Sequence, residues 1–370
     1  MVNKFLRKSI LFFKRNIFLV SLIIISIGLA IYLSQPVEKF SSFVDWNTII
    51  TLSGLLLITM GIKESGFFFL LAYRISRQIK NERLLSLFLV FVSALLSMFL
   101  TNDIALFIIV PLTLSLQDIS DSDYSKMVVF EAIAVNVGSS LTPIGNPQNI
   151  FLWHKWGISF LSFINELAPL ILLLSVLLFI FTYLSFPSKR IKQNHSQHPV
   201  VERKMFLLSS ILLILFVFAI ELKYEKYFFL IIVVLFLLFY RKIILKADWV
   251  LVLLFIFIFV DIHLLSQLKI IQNLFNQLNF NNINTLFFSG AFLSQIISNV
   301  PTTVLLSHYS TDYKIIAYGV NIGGNGLLIG SFANLIALNF MKSKSKYFTF
   351  HLYSIPFFFI TLIFVYLFFF

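Results

Sequence analysis

Two pairs of polar segments recur in the same order along a chain that is otherwise almost continuously apolar, and this duplication restricts the fold more than any other feature. ALLSMFLTN, Ala94–Asn102, returns as AFLSQIISN, Ala291–Asn299. VNVGSSLTPIGNPQNI, Val135–Ile150, returns as VNIGGNGLLIGSFANL, Val320–Leu335, with Val, Asn, Gly, Ile, Gly and Asn in register. Each copy is a polar island among hydrocarbon side chains. Paired islands in two halves are the pattern that inverted repeats leave in membrane proteins, with binding groups where the helices break.

The solvent for such a chain must be lipid. Apolar residues make up 59% of it, 46 are phenylalanine, and the mean hydropathy is +0.94; no water-soluble fold hides that much hydrocarbon. The net charge of +12 sits in short clusters between apolar runs, which fits orientation in a bilayer and argues against a nucleic-acid partner. The absence of cysteine excludes disulfides and thiolate metal sites. The apolar run from Ile17 to Leu33 follows a basic start, exceeds a signal-peptide core of about 7 to 15 residues, and is read as an uncleaved first helix.

Run lengths predict nine full crossings, near residues 17–34, 45–61, 126–155, 161–186, 204–221, 226–240, 248–263, 315–340 and 350–370, against the roughly 20 residues a bilayer needs. The run Leu84–Leu116 differs, because Thr101, Asn102 and Asp103 lie at its middle. Each arm of about 16 residues would rise only about 24 Å, short of a core of roughly 30 Å. A re-entrant hairpin over 84–117 with its polar tip at mid-membrane is expected, and a second over 285–308 around Ser298 and Asn299.

Basic residues test this layout, since cytoplasmic loops are enriched in them. With a cytoplasmic N-terminus and hairpins that return to the side they entered, only Lys39, Lys155, Lys223, Lys226, Lys269 and Lys314 of the 28 Lys and Arg residues face outward. Reading the first hairpin as one long crossing would turn the Lys189–Lys204 cluster outward. The two hairpins then open from opposite sides, so the halves are inverted: residues 15–186 with broken helix 126–155, and 223–370 with broken helix 315–340, joined by a loop and helix over 187–222. Ser65–Arg83 and His263–Asn284 are amphipathic and suit helices lying in the interface.

The islands supply the chemistry. Gly138, Pro143, Gly145 and Pro147 interrupt the first broken helix, and Gly319, Gly323, Gly324, Gly326 and Gly330 the second. Breaks at this depth free carbonyls that suit a hard cation and amide-bearing helix N-termini that suit an anion. Four such N-termini, after Asn102, Pro147, Asn299 and Gly330, are expected to converge. Residues assigned to ion coupling are Asp103, Asn102, Asn136, Gly138, Asn299, Asn321, Gly323 and Gly324, with Na⁺ expected at the Asn102 and Asn299 tips and no other cofactor. The competing reading is that small polar residues merely let helices pack closely.

Asp103 has no acidic counterpart, because Val300 occupies its place in the second hairpin. An ionisable group at mid-membrane costs at least about 2.5 kcal/mol. Two roles stay open for it: coupling-ion or proton chemistry, and a structural acid bonded to amides of its own tip. Glu131 is expected to snorkel or meet Lys126. Glu166, Asp261 and His263 are expected in solvent at the outer boundary, with His154 and His308 nearby as weak metal candidates. Asp118, Asp121 and Asp123 read as an acidic surface loop.

At these islands the chain resembles the ion transporter superfamily, which includes citrate-transporter-like and divalent anion:sodium symporter families, arsenite permeases and certain Na⁺/H⁺ antiporters. The resemblance runs over roughly residues 15 to 370 and rests on TNDIALFIIVPL, SNVPTT and LTPIGNPQN. It implies an all-α inverted-repeat fold, a homodimer, and elevator-like movement of a transport domain. By position it implies that Thr101, Asn102, Ser298 and Asn299 hold substrate and cations at the tips, that Thr142, Gly145 and Asn146 line the first broken helix, and that Gly324, Asn325 and Gly330 line the second. The dicarboxylate group carries Ser-Asn-Thr at both tips. Here the third-position Thr is absent from both, although Thr302 and Thr303 lie one turn on, and Asn102-Asp103 is closer to the arsenite permease pattern.

The expectation is therefore a secondary transporter of a small anion, an inorganic oxyanion or a carboxylate, coupled to Na⁺ or H⁺ in the cytoplasmic membrane. The alternative is an arsenite permease or Na⁺/H⁺ antiporter using Asp103. A membrane-embedded enzyme would need facing acids, a HExxH site or a Ser/His pair at depth, and the sequence offers none. A channel remains a further reading, separable by counterflow.

Overall fold

The computed structural model describes residues 17–76, 78–117, 124–190, 200–341, 343 and 345–370. Every regular element among them is helical; one isolated bridge pairs Asn81 with Arg190. Helices α1 (Ile17–Tyr32), α2 (Phe40–Phe43), α3 (Trp46–Glu64) and α4 (Phe67–Ser76) lead into a hairpin of α5 (Glu82–Phe99) and α6 (Asn102–Gln117). A broken helix of α7 (Ser125–Ser139) and α8 (Pro147–Trp156) follows, then α9 (Phe160–Ser185). After α10 (Arg203–Glu221) the order returns as α11 (Glu225–Phe239), α12 (Arg241–Lys246), α13 (Trp249–Ser266) and α14 (Lys269–Asn276). The second hairpin is α15 (Ile283–Ile297) and α16 (Asn299–Leu306), the second broken helix α17 (Tyr313–Gly323) and α18 (Phe332–Phe340), and α19 (Lys346–Phe369) closes the chain.

Packing repeats with the sequence. The first arm of each hairpin lies along the first half of its own broken helix, α5 on α7 and α15 on α17, while α1 meets α13 and α3 meets α11 across the two halves. Glycine permits the close approach: a Cβ on Gly323 would come within 2.5 Å of Ser294 Cβ and 2.9 Å of the Ala291 oxygen, and one on Gly138 would overlap the matching Ala94 and Ser97 atoms. α7 is buried at every position except Lys126, and α17 from Ile315 to Gly323. Helices covered on all sides lie at the centre of the bundle, and the rest wrap them.

The chain is a polytopic membrane protein, but its crossings are built less uniformly than run lengths suggest. Among the described residues six helices are long and apolar enough to span a bilayer, α3, α5, α9, α10, α13 and α19, and α1 with the segment Val37–Phe43 forms a further pair bent by 119°. The runs 126–155 and 315–340 are each two helices. α11 has only 15 residues. The first hairpin starts two residues before the expected Leu84 because Asn81 caps α5, its side chain accepting from Leu84 N at 3.2 Å. Its first arm has 18 residues, a rise of about 27 Å that nearly reaches across the core. The amphipathic stretches fold as shorter helices than their sequence ranges, α4 and α14, and His263 belongs to α13 instead.

Candidate functional site

The polar islands meet at the centre of the bundle. Asn136 on α7 donates to Asn334 Oδ1 of the other half at 2.9 Å and to the Gly324 oxygen at 3.0 Å. Its repeat mate Asn321 on α17 donates to Asn149 Oδ1 at 3.1 Å. Asn321 Oδ1 accepts from Asn146 at 3.3 Å, and Asn136 Oδ1 accepts from Ser331 Oγ, the residue matching Asn146, at 3.0 Å. Gln148 adds a further donor to Asn321 at 3.2 Å. The network thus obeys the twofold relation that the sequence repeat implies.

Within each half the same donors close the break. Asn149 Nδ2 reaches the Ser140 and Thr142 oxygens at 3.0 and 3.1 Å, and Asn334 Nδ2 reaches the Gly324 and Leu327 oxygens at 2.9 and 3.3 Å. Asn146 caps α8 through Asn149 N at 2.9 Å, with Pro147 in the first turn, and Ser331 caps α18 through Ala333 N at 3.3 Å. Unwound carbonyls inside a membrane protein persist only with such partners. Asn149, Asn334, Gln148 and Ser331 were missing from the sequence-based set, although Asn149 and Asn334 recur in register.

The tips dock on these breaks. Asn102 N donates to the Gly145 oxygen at 3.0 Å, and Thr142 Oγ1 donates to the Met98 oxygen. Asn299 comes so close to Gly324 that a Cβ there would stand 3.2 Å from its amide nitrogen. Thr101, Asn102, Asp103, Thr142, Asn146, Ser298, Asn299, Asn321 and Asn325 are all buried. Thr302 and Thr303 are buried too, but their hydroxyls donate one turn back, to the Ser298 and Asn299 oxygens at 2.8 and 2.7 Å. Gly330 closes a turn to the Leu327 oxygen at 2.9 Å, as Gly145 does to Thr142 at 3.4 Å.

Two buried oxygens in this region have no partner: Asp103 Oδ1 and Asn325 Oδ1. The Asp103 amide is satisfied by Asn102 Oδ1 at 3.0 Å. Oxygen acceptors left without donors at this depth fit a hard monovalent cation or a proton. Neutral amides and the N-terminal ends of α6, α8, α16 and α18 offer complementary partners for an anion.

Two acids differ from expectation. Glu131 does not snorkel: it is fully buried and accepts from Thr113 Oγ1, while Lys126 turns to the Ser185 oxygen and lies over the rings of Phe186 and Tyr353. Asp261 is not in solvent but buried, accepting from Ser26 Oγ where α1 packs on α13. Each finds a hydroxyl on a neighbouring helix, a contact that spacing along one helix cannot reveal. Glu166 keeps its expected exposure in an ion pair with Lys314 at 2.6 Å. Asp118, Asp121 and Asp123 lie outside the described residues. His154, His263 and His308 line one cavity of about 390 Å³, and among the described residues no group of three His, Asp or Glu is placed to hold a metal.

Comparison with known sequences agrees with this architecture. The sequence profile of the citrate transporter family matches residues 9–313. The inner membrane protein YbiR of Escherichia coli is 42% identical over 337 residues, covering 90% of this chain and 90% of its own length. An uncharacterized transporter of Methanocaldococcus jannaschii is 37% identical over 330 residues, 88% of this chain and 90% of its own. A Dictyostelium discoideum transporter designated arsB is 25% identical over 129 residues, 35% of this chain and 23% of its own. A family match of this extent, on an all-helical chain with spanning helices, means that the chain belongs to the citrate transporter family and is a multi-pass membrane transporter.

Proposed function

We propose that the chain is a secondary active transporter that moves a small anion, an inorganic oxyanion or a carboxylate, across the cytoplasmic membrane with Na⁺ or H⁺. The observation that carries this reading is the twofold asparagine network. It gathers neutral amide donors, the carbonyls of the two breaks and four helix N-termini where the two halves meet. Such groups bind and release an anion and a cation without a permanent countercharge. Asp103 supplies the asymmetry. A carboxylate next to an anion site repels the anion until a cation or proton neutralises it, so cation and anion bind together there.

In this reading residues 15–186 and 223–370 are inverted repeats, the N-terminus is cytoplasmic, and the protein is a homodimer. The hairpins and broken helices move as one body against α1, α3, α11 and α13, in the elevator manner. A second reading, arsenite or Na⁺/H⁺ exchange through Asp103, is favoured by its unpartnered oxygen and by the partial likeness to the arsB-designated relative.

The test is a thermal-stability screen of purified protein against citrate, phosphate, sulfate, arsenate and arsenite, each with and without Na⁺. A bound ligand stabilises by mass action, about 2.7 kcal/mol at a hundredfold excess over Kd. One anion should stabilise the protein, and more strongly in Na⁺ or at low pH. Stabilisation by arsenite alone would favour the second reading, and no response to any probe would remove the first. Asp103→Asn should abolish the Na⁺ or pH dependence of the surviving response.

A further inference from the structure

Asp103 is not the sole buried acid of the first hairpin's surroundings. Glu131 lies on α7, a helix buried at every position except Lys126, and has no exposed surface. One carboxyl oxygen accepts from the hydroxyl of Thr113, itself fully buried on α6, and the other oxygen has no partner. Thr113 follows Asp103 by ten residues on α6, about 15 Å along the helix toward its far end. The second half lacks this arrangement: Ile316 holds the position of Glu131, and α16 ends at Leu306, before a position matching Thr113 is reached.

Among the described residues no ion pair reaches this carboxyl. α7 packs against α5, α6, α9, α17, α18 and α19; of their charged groups, Asp103 lies ten residues from Thr113 on α6, Lys314 of α17 pairs with Glu166 of α9, and Lys346 of α19 bonds the Leu338 oxygen at 3.3 Å. Lys126 bonds the Ser185 oxygen over Phe186 and Tyr353. Arg83 of α5 donates to the Phe186 oxygen at 2.8 Å and lies over Tyr183 of α9. Tyr318 of α17 donates to the Glu166 oxygen at 3.1 Å, and His351 of α19 contacts the Tyr347 oxygen and Leu328 N. An isolated ionised carboxylate is too costly to keep at such a place, whereas the acid form is tolerated and can still exchange its proton.

We propose that Glu131, held by Thr113, is a second proton-binding carboxyl of the transport machinery, distinct from Asp103 and placed between the hairpin tip and the far end of α6. The step is a reversible O–H bond formation on the carboxylate, with the proton taken from and returned to water when the body of hairpins and broken helices moves against the remaining helices. The inference rests on the transport reading for its role in coupling, but proton binding itself does not.

The test has two arms. In the first, infrared difference spectra of the purified protein in lipid are recorded between low and high pH. The wild type should lose a buried carboxylic C=O band on deprotonation, Glu131→Gln should lack that component while keeping the Asp103 one, and Thr113→Val should shift the pH at which it disappears. In the second, citrate, phosphate and arsenite uptake into proteoliposomes is driven by an imposed pH gradient of one unit, worth up to about tenfold accumulation per coupled proton. Glu131→Gln should accumulate close to onefold yet retain counterflow. An unchanged infrared difference spectrum in Glu131→Gln overturns proton binding, and undiminished gradient-driven accumulation overturns the coupling role. If the wild type takes up none of the probes, the transport reading fails and the infrared arm alone decides whether Glu131 binds a proton.

Discussion

The two halves share a frame and differ at their hairpin tips. In the first half the hairpin contributes only backbone to its fastening: Asn102 N donates to the Gly145 oxygen, and the Met98 oxygen accepts from the Thr142 hydroxyl. In the second half a side chain does this, since Gln295, in the place of Met98, donates to the Gly323 oxygen and accepts from Leu327 N. α5 closes at Leu100 with φ −105°, whereas α15 closes one position later in the repeat, at Ser298 with φ +76°. The first tip follows its asparagine with a buried aspartate, the second with valine. Repeats that keep the central network while changing the tips separate a common task, holding two broken helices together, from an unequal one at the tips.

The central network offers the largest effect and the sharpest test of equivalence. Asn321→Ala removes the acceptor of Asn146 and Gln148 and the donor to Asn149. Asn136→Ala likewise removes the donor to Asn334 Oδ1 and the acceptor of Ser331, and takes one of the two donors from the Gly324 oxygen. Each buried group left unpaired costs about 1–3 kcal/mol, so both variants should lose several kcal/mol and most of their folded yield in detergent. Yield and melting temperature measured side by side should fall alike. A large loss in one variant only would break the twofold account of the core.

Much of this was legible before any coordinates. The repeat spacing located both tips and both breaks, because Asn, Gly and Pro inside apolar runs stand out against hydrocarbon. The apolar runs likewise marked α3, α9, α10, α13 and α19 as spanning helices. Three things were not legible. The partners of Glu131 and Asp261 lie on other helices, Thr113 and Ser26, and no single-helix pattern encodes such a pairing. Gln295 sits opposite Met98 in the repeat, and that mismatch gives no sign that its amide bonds the Gly323 oxygen and Leu327 N. The full length of α5 was also hidden, since Asn81, which caps it, lies before the apolar run begins at Leu84.

The fastening at the second tip should be weaker to lose than the network but stronger than its counterpart. Gln295→Leu leaves the Gly323 oxygen and Leu327 N without their side-chain partner, a loss of about 1–3 kcal/mol. Met98→Leu removes no hydrogen bond, because only its backbone oxygen is used, and a volume-conserving change of this kind costs less than about 1.5 kcal/mol. Melting temperatures of the pair should therefore separate clearly. Equal losses would mean that position 295 matters for packing and not for its amide.

The smallest effect should have the opposite sign. Ser298 combines φ +76° with ψ 155°, a region that residues with a Cβ avoid and that costs of order 1–3 kcal/mol to hold. Glycine adopts that conformation without the Cβ penalty. Its greater freedom in the unfolded chain returns roughly 0.5–1 kcal/mol of the gain, and Ser298 Oγ loses only a long contact to Asn299 Oδ1 at 3.4 Å. Ser298→Gly should therefore raise the melting temperature slightly, whereas Leu100→Gly, at an unstrained and buried position, should lower it. If the strain serves binding, the gain in stability comes with a weaker thermal response to the stabilising anion, since a relaxed tip no longer presents Asn299 against Gly324. A stabilised variant with an undiminished response would leave the strain as a consequence of docking the tip, and would confine the functional difference between the halves to Asp103.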